Sequence, residues 1–382
     1  MKSSEALLAD MLTPGMRVAV SDGAGAPTSV LGSLTRIASG CPGLRLLLGW
    51  CLRIPDDFDP RPFAETRTML GGMALRRLIE NGSVEYVPTR LGSVPALVGH
   101  SLRADVVIAS VRPGRDGWEL GSEVAWTLAA ARRARLVAVV NHGLPAASAE
   151  APFPWDAVTV IGEVDEPPAI IEAPLMTPEI QQIGRYVVSL VPSGAVIQFG
   201  PGAVATATLR HLSVPVSVDS GLLTDDVVDL DRRGLLVGEP RATYLAGTPV
   251  LYEWANGRRI LYGVEQSHRI DRLADRGIVA INAALEIDLC GQVNVETSGG
   301  AHVAGIGGHA DFATAASRSL HGLSIIAVPT SRRGSSTLVD RLTGPASTAR
   351  SDVDVVVTEI GIADLRGLGD VRRASALRKI WP

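Results

Sequence analysis

Between positions 282 and 312 the chain sets amides, carboxylates and glycines at a spacing suited to holding a polarised oxygen. Asn282, Glu286, Asp288 and Asn294 follow an apolar run. Gly305, Ile306, Gly307 and Gly308 come next, and Asp311 and Phe312 close the stretch. Glycines leave backbone N–H groups approachable, since no side chain stands in front of them, so such a loop can serve an anion or an oxyanion. Composition alone also fits a mobile loop. Asn282 closes the run that ends at Ile281. Glu286 and Asp288 would share one face of a strand, either as a solvated edge or as a pair bonded to backbone.

A second candidate, Gln198-Phe-Gly-Pro-Gly202, ends an apolar run and leads into a helical stretch over 203–212. A strand, glycine turn and helix in that order present free N–H groups and the positive end of the helix dipole to a carbonyl oxygen or phosphate. A plain tight turn is the alternative. Glu359 stands just past the run 354–357, as a site carboxylate or a loop one. His302 and His309 flank the glycine loop at a spacing that matches no established metal signature, so no metal site is expected. Cys290 is the only thiol near the cluster and reads as inert, and Arg332 with Arg333 could meet phosphate or solvent.

The elements that must position these groups are legible as short apolar runs. Those at 17–20, 105–108, 136–140 and 157–161 suit strands covered on both faces. An Ala-rich, Arg-bearing helix is expected over 121–134. Thr177, Pro178 and Glu179 form a helix start, with the helix running to about Ser189. Runs at 195–199, 214–218, 277–281, 324–328 and 354–357 repeat the strand pattern, and Thr224 reads as the N-cap of a helix ending before Gly234. Strand and helix alternation predicts a mainly parallel α/β architecture. The Pro- and Glu-rich stretch 163–178 divides it into domains 1–177 and 178–382.

At 382 residues, 46% hydrophobic and 20% charged, the chain is long enough for two or three cores. A net charge of −4 argues against a dedicated nucleic-acid or anionic-membrane binder. Cys41, Cys51 and Cys290 fit neither a disulfide framework nor a zinc site. With no export signal or membrane span read in the sequence, a cytoplasmic protein is expected.

Taken together, the motifs resemble the acetyl-CoA hydrolase/transferase family, the single-chain class I CoA-transferases that include 4-hydroxybutyrate and acetate CoA-transferases. The resemblance runs through Asp22-Gly-Ala-Gly-Ala-Pro27, Val139-Val-Asn-His-Gly-Leu-Pro145, Gln198 to Gly202, Asn282 to Asn294, Gly305 to Phe312 and Val357-Thr-Glu-Ile-Gly361, in the family's order. It implies two similar open, mainly parallel α/β domains and a homodimer. It also implies a CoA thioester as substrate, a small carboxylate as possible acceptor and no bound cofactor. By the same resemblance Gly200 and Gly202 line the acyl or CoA pocket and Gln198 positions a carboxylate. The loop Gly305, Ile306, Gly307, Gly308 gives N–H groups to the thioester oxygen, Asp311 completes its motif, and Asn282 and Glu359 stand near the centre.

One segment departs from the pattern. Relatives carry H-[TS]-E-x-x-x-D-G-x-x-D-L, whose glutamate attacks the thioester; the matching Asp219-Ser-Gly-Leu-Leu-Thr-Asp-Asp-Val-Val-Asp-Leu230 puts Gly221 at that position. Asp219 lies two residues earlier, roughly 6–7 Å along a straight strand, with a shorter side chain. The chain also looks trimmed between 234 and 282 and at its end. Hydrolysis is therefore expected over transfer, with Asp219, Glu286 or Glu359 as general base. A catalytically inactive CoA-ester binder is the alternative.

Overall fold

The computed structural model describes residues 3–382. The chain forms two compact units. The first comprises Met1–Thr89, Ser93–Ile170 and Thr243–Gln266, and the second Arg90–Gly92, Ile171–Ala242 and Ser267–Pro382. The sequence reading divides the chain once, at 177/178. Instead, Thr243–Gln266 returns to the first unit, drawn there by backbone bonds from Val124 N–H to the Thr243 carbonyl and from Leu245 N–H to the Ser122 carbonyl.

In the first unit the strands are β1 (Arg17–Val20), β2 (Arg45–Leu48), β3 (Glu65–Thr68), β4 (Glu85–Tyr86), β5 (Val106–Pro113), β6 (Trp118–Glu119), β7 (Arg135–Asn141) and β8 (Val158–Val164). They form one eight-stranded sheet in the order β4-β3-β2-β1-β5-β7-β8, with β6 antiparallel on β5 and the other pairs parallel. Every residue of β1 is buried, as a continuous apolar run predicts. Strand order reverses between β1 and β5, a switch point of the kind beside which open α/β sheets hold ligands. The helix expected over 121–134 is reduced to Thr127–Ala131. Ala125 takes a left-handed φ of 48° and residues 122–124 bond to the returning segment, so the chain cannot coil until after Trp126.

A six-stranded sheet organises the second unit: Ser217–Val218, Val196–Phe199, Val279–Ala283, Leu323–Ala327, Val355–Val357 and Ile362–Asp364, in that spatial order and parallel except for the last pair. Phe312, Ala315 and Ala316 of the helix His309–Arg318 pack with Ile278, Ala280 and Leu273, while Ile326, Val356, Ile287 and Trp381 belong to a second cluster. The helix Pro178–Val188 starts as its sequence predicts, with the Thr177 hydroxyl accepting from Ile180 N–H. Gln198, Asp219, Asn282 and Glu359 all stand at or just beyond the carboxyl ends of the parallel strands. Among the described residues no helix is long and apolar enough to cross a membrane.

Candidate active site

Val196–Phe199 and Val279–Ala283 are neighbours in register, and this brings two buried amides together: Gln198 Nε2 donates to Asn282 Oδ1 at 3.3 Å. Among the described residues Gln198 Oε1 and Asn282 Nδ2 have no partner. Exchanging oxygen and nitrogen in both amides leaves the same balance, one unmet donor and one unmet acceptor. Buried polar groups are rarely left so, and such a pair can receive a ligand that offers both. Past Phe199 the chain turns through Gly200 and Gly202. At Gly202 φ is 143°, which favours glycine, and the helix Ala203–His211 follows. A Cβ at Gly200 would meet nothing within 4 Å, so internal packing does not require that glycine.

Beside this turn runs Asp219-Ser-Gly221. Asp219 N–H bonds to the Ile197 carbonyl, and the Ser220 hydroxyl donates to the Phe199 carbonyl at 2.7 Å, fixing Gly221 at the sheet edge. The Asp219 carboxylate is fully buried and held by Arg272 at 2.5 and 3.0 Å, with Arg276 at 3.4 Å. A carboxylate clamped by a bidentate guanidinium is committed to a structural pair.

The glycine loop is anchored at its far end. Gly307 has φ 58° and its carbonyl accepts from Leu91 N–H, while Asp311, buried, accepts from Gly92 N–H at 2.8 Å. Burial pushes the Asp311 carboxyl up to about 6. Asp311 thus braces the segment Arg90–Gly92, and Gly308 caps the helix His309–Arg318.

Under the loop lies a residue that the sequence reading does not single out. His268 is 2% exposed, its Nδ1 is 2.9 Å from the Ser267 hydroxyl, and its ring meets Phe312 edge-on with centroids 4.9 Å apart. Its Nε2 has no hydrogen-bond partner among the described residues. For both Gly221 and Gly308, Nε2 is the nearest heavy atom to the place a Cβ would take, at 3.1 and 2.5 Å. The two glycines therefore meet over one imidazole. Burial, with the Arg272 charge adding to it, pushes the His268 pKa down to about 3, so the ring is neutral near pH 7.

Glu359 stands two residues past Val355–Val357 and accepts from Thr330, through its backbone N–H and its hydroxyl at 2.5 Å. Glu286 accepts from Asn294 Nδ2, the Thr343 N–H and hydroxyl, and Gly344 N–H, which stitch the strands Glu286–Asp288 and Val293–Asn294 to the loop at 343–344. Those bonds outweigh its burial and hold its pKa below the usual glutamate value. His309 Nε2 is also unpartnered among the described residues, and burial brings that ring down to about 4. Cys290 is half-buried, and Arg332 and Arg333 are exposed on the hairpin of Ser331–Arg332 and Ser335–Ser336.

In the first unit the sequence reading misses a buried acid cluster just past β1. Asp22 accepts from Tyr244 OH at 2.8 Å and from Trp50 N–H, and Glu123 accepts from Ser122 Oγ at 2.7 Å and Gly25 N–H. Burial pushes Asp22 up to about 6 and Glu123 up to about 7. A Cβ at Gly23 or Gly25 would strike Ser122 or Glu123, which explains these two glycines of the Asp22-Gly-Ala-Gly-Ala-Pro27 run.

Residues 247–381 match the acetyl-CoA hydrolase/transferase C-terminal domain. The chain is 33% identical over 350 residues to the succinyl-CoA:cyclohexane-1-carboxylate CoA transferase of Geobacter metallireducens, covering 85% of this chain and 80% of that one. It is 30% identical over 341 residues to the 4-hydroxybutyrate coenzyme A transferase of Clostridium kluyveri, covering 84% of this chain and 79% of that one. The crystal structure of 4-hydroxybutyrate CoA-transferase from Porphyromonas gingivalis superposes with a TM-score of 0.81 at 27% identity, covering 100% of this chain and 94% of that one. The fold is that of the class I CoA-transferases, as the motifs imply.

Proposed function

This chain belongs to the acetyl-CoA hydrolase/transferase family, and from that membership we propose that it cleaves a CoA thioester by hydrolysis rather than by CoA transfer. The observation that carries this reading is Gly221. On our reading of the Asp219–Leu230 segment the family's attacking glutamate falls at this position, and His268 Nε2 is the heavy atom nearest to where a Cβ there would stand. Without a carboxylate at 221 the mixed anhydride and glutamyl-CoA thioester of the transfer route have no residue to form on. Water is the remaining nucleophile.

Glu359 is the base we assign. Of the three candidate carboxylates, Asp219 is locked to Arg272, and Glu286 is bonded to the hairpin at 286–294 and the loop at 343–344. Glu359 stands at the carboxyl edge of the sheet, accepts from the Thr330 N–H and hydroxyl, and has no cationic partner among the described residues. In the step proposed, a water oxygen bonds to the thioester carbon while Glu359 takes its proton. The C–S bond then breaks, and the CoA thiolate takes that proton back. Glycine-loop N–H groups and the unmet Asn282 amide donor steady the carbonyl oxygen as it gains charge.

The test is to incubate the protein with a panel of acyl-CoAs, with and without acetate or succinate, and to measure free CoA and new acyl-CoA separately. Free CoA independent of acceptor supports hydrolysis. Acceptor-dependent new acyl-CoA overturns it in favour of transfer, and saturable binding with neither product leaves a CoA-ester-binding homologue.

A further inference from the structure

We propose that His268 is a catalytic residue of this site, its Nε2–H donating a hydrogen bond to the thioester carbonyl oxygen beside the N–H groups of the 305–308 loop. This rests on the reading of the site as a thioester site. Its support is geometric: Nε2 is unpartnered among the described residues, and it lies against Gly221 and Gly308 at once. Both glycines are partly exposed whereas the imidazole is buried, so the ring sits directly beneath the surface a ligand would reach. No Cβ fits at Gly308 without displacing the ring, and one at Gly221 would crowd it.

The other ring nitrogen faces the Ser267 hydroxyl. When the Ser267 hydroxyl donates to Nδ1, across 2.9 Å, the ring proton resides on Nε2 and faces the glycines. Phe312 fixes the ring plane from the side. A neutral imidazole is the right donor here, because it stabilises a developing oxyanion without itself changing protonation state, and a ring kept neutral by burial and by Arg272 performs that task across the physiological range. No bond to His268 forms or breaks. Charge that builds on the oxygen as water adds to carbon returns to form the C=O when the C–S bond breaks.

The experiment compares wild type, His268→Ala and His268→Gln, each checked for native circular dichroism. Two ligands are titrated: a ketone analogue of acetyl-CoA in which CH2 replaces sulfur, and S-ethyl-CoA, which lacks the carbonyl oxygen. Wild type is expected to prefer the ketone, and H268A to lose about tenfold of that preference. H268Q, which keeps an N–H donor, should regain part of it. Thiol release should fall on the order of 100-fold in kcat for H268A with KM little changed. A folded H268A that keeps both the preference and the rate overturns the assignment, as does an H268Q indistinguishable from H268A. A wild type that binds the ketone but releases no thiol from any acyl-CoA sinks the hydrolytic reading alone, since the preference still reports on His268. Binding of neither compound sinks both.

Discussion

Gly221 and His268 compete for one space: a Cβ at 221 would stand 3.1 Å from Nε2 and 3.4 Å from the neighbouring Cε1. Gly221→Ala should therefore shift the ring and lower stability by roughly 1–3 kcal/mol, the usual cost of overpacking. Gly221→Glu alone should yield no transferase. The double variant G221E/H268A should be less destabilised than its two single changes summed, and is the one in which acceptor-dependent transfer can emerge. Chemical denaturation of wild type, G221E, H268A and the double variant gives the coupling; strict additivity would show that the two side chains do not share the space.

Glu359→Gln keeps an oxygen that can accept from the Thr330 N–H and hydroxyl but removes the base. Thiol release should fall by about 10²–10⁴-fold with an unchanged melting temperature. A loss of less than threefold would move the base elsewhere.

Asp219 is expected to matter for folding rather than for chemistry. It is fully buried and its Arg272 partner is 21% exposed in the side chain, so breaking the pair leaves an uncompensated charge inside. Asp219→Asn or Arg272→Met should cost about 3–5 kcal/mol in urea unfolding. Should either variant match wild-type stability while losing turnover, the structural assignment fails.

Glu123 makes stability depend on pH with a definite sign. Burial raises its carboxyl from 4.5 to about 7 in the folded protein, against the bonds from Ser122 and Gly25, and nearby Asp22 adds to the rise. The folded state thus holds this proton more tightly than the unfolded chain. The contribution is full below pH about 4.5, declines as pH climbs to about 7, and is flat above, a span of about 3 kcal/mol. Glu123→Gln should remove most of that slope and raise the melting temperature at pH 8. A variant with an undiminished slope would place the titration in Asp22 or another group.

Much of the fold is legible in the apolar runs, because a strand buried on both faces must be apolar throughout; β1, β5, β7 and the strands bearing Gln198 and Asn282 all read this way. β3, with the sequence Glu-Thr-Arg-Thr, escapes since only alternate residues are buried. The amides and glycines at strand ends are readable for the same reason: they mark where a run stops. His268 carries no such mark. Its role depends on two glycines, at 221 and 308, that only the fold brings to it. Nor does a sequence show that Asp219, Asp311 and Glu286 already have partners, which separates a bracing carboxylate from a reactive one.

The return of Thr243–Gln266 to the first unit has a practical consequence for anyone dissecting the gene. No single cut yields that unit whole. A fragment ending at residue 177 would lack Tyr244, whose hydroxyl is a donor to the buried Asp22 carboxylate, and would have to carry that acid in its interior unaided. Fragments meant to isolate one half should instead splice 243–266 back through a linker, and a library of circular permutants would find its tolerated openings outside that returning stretch.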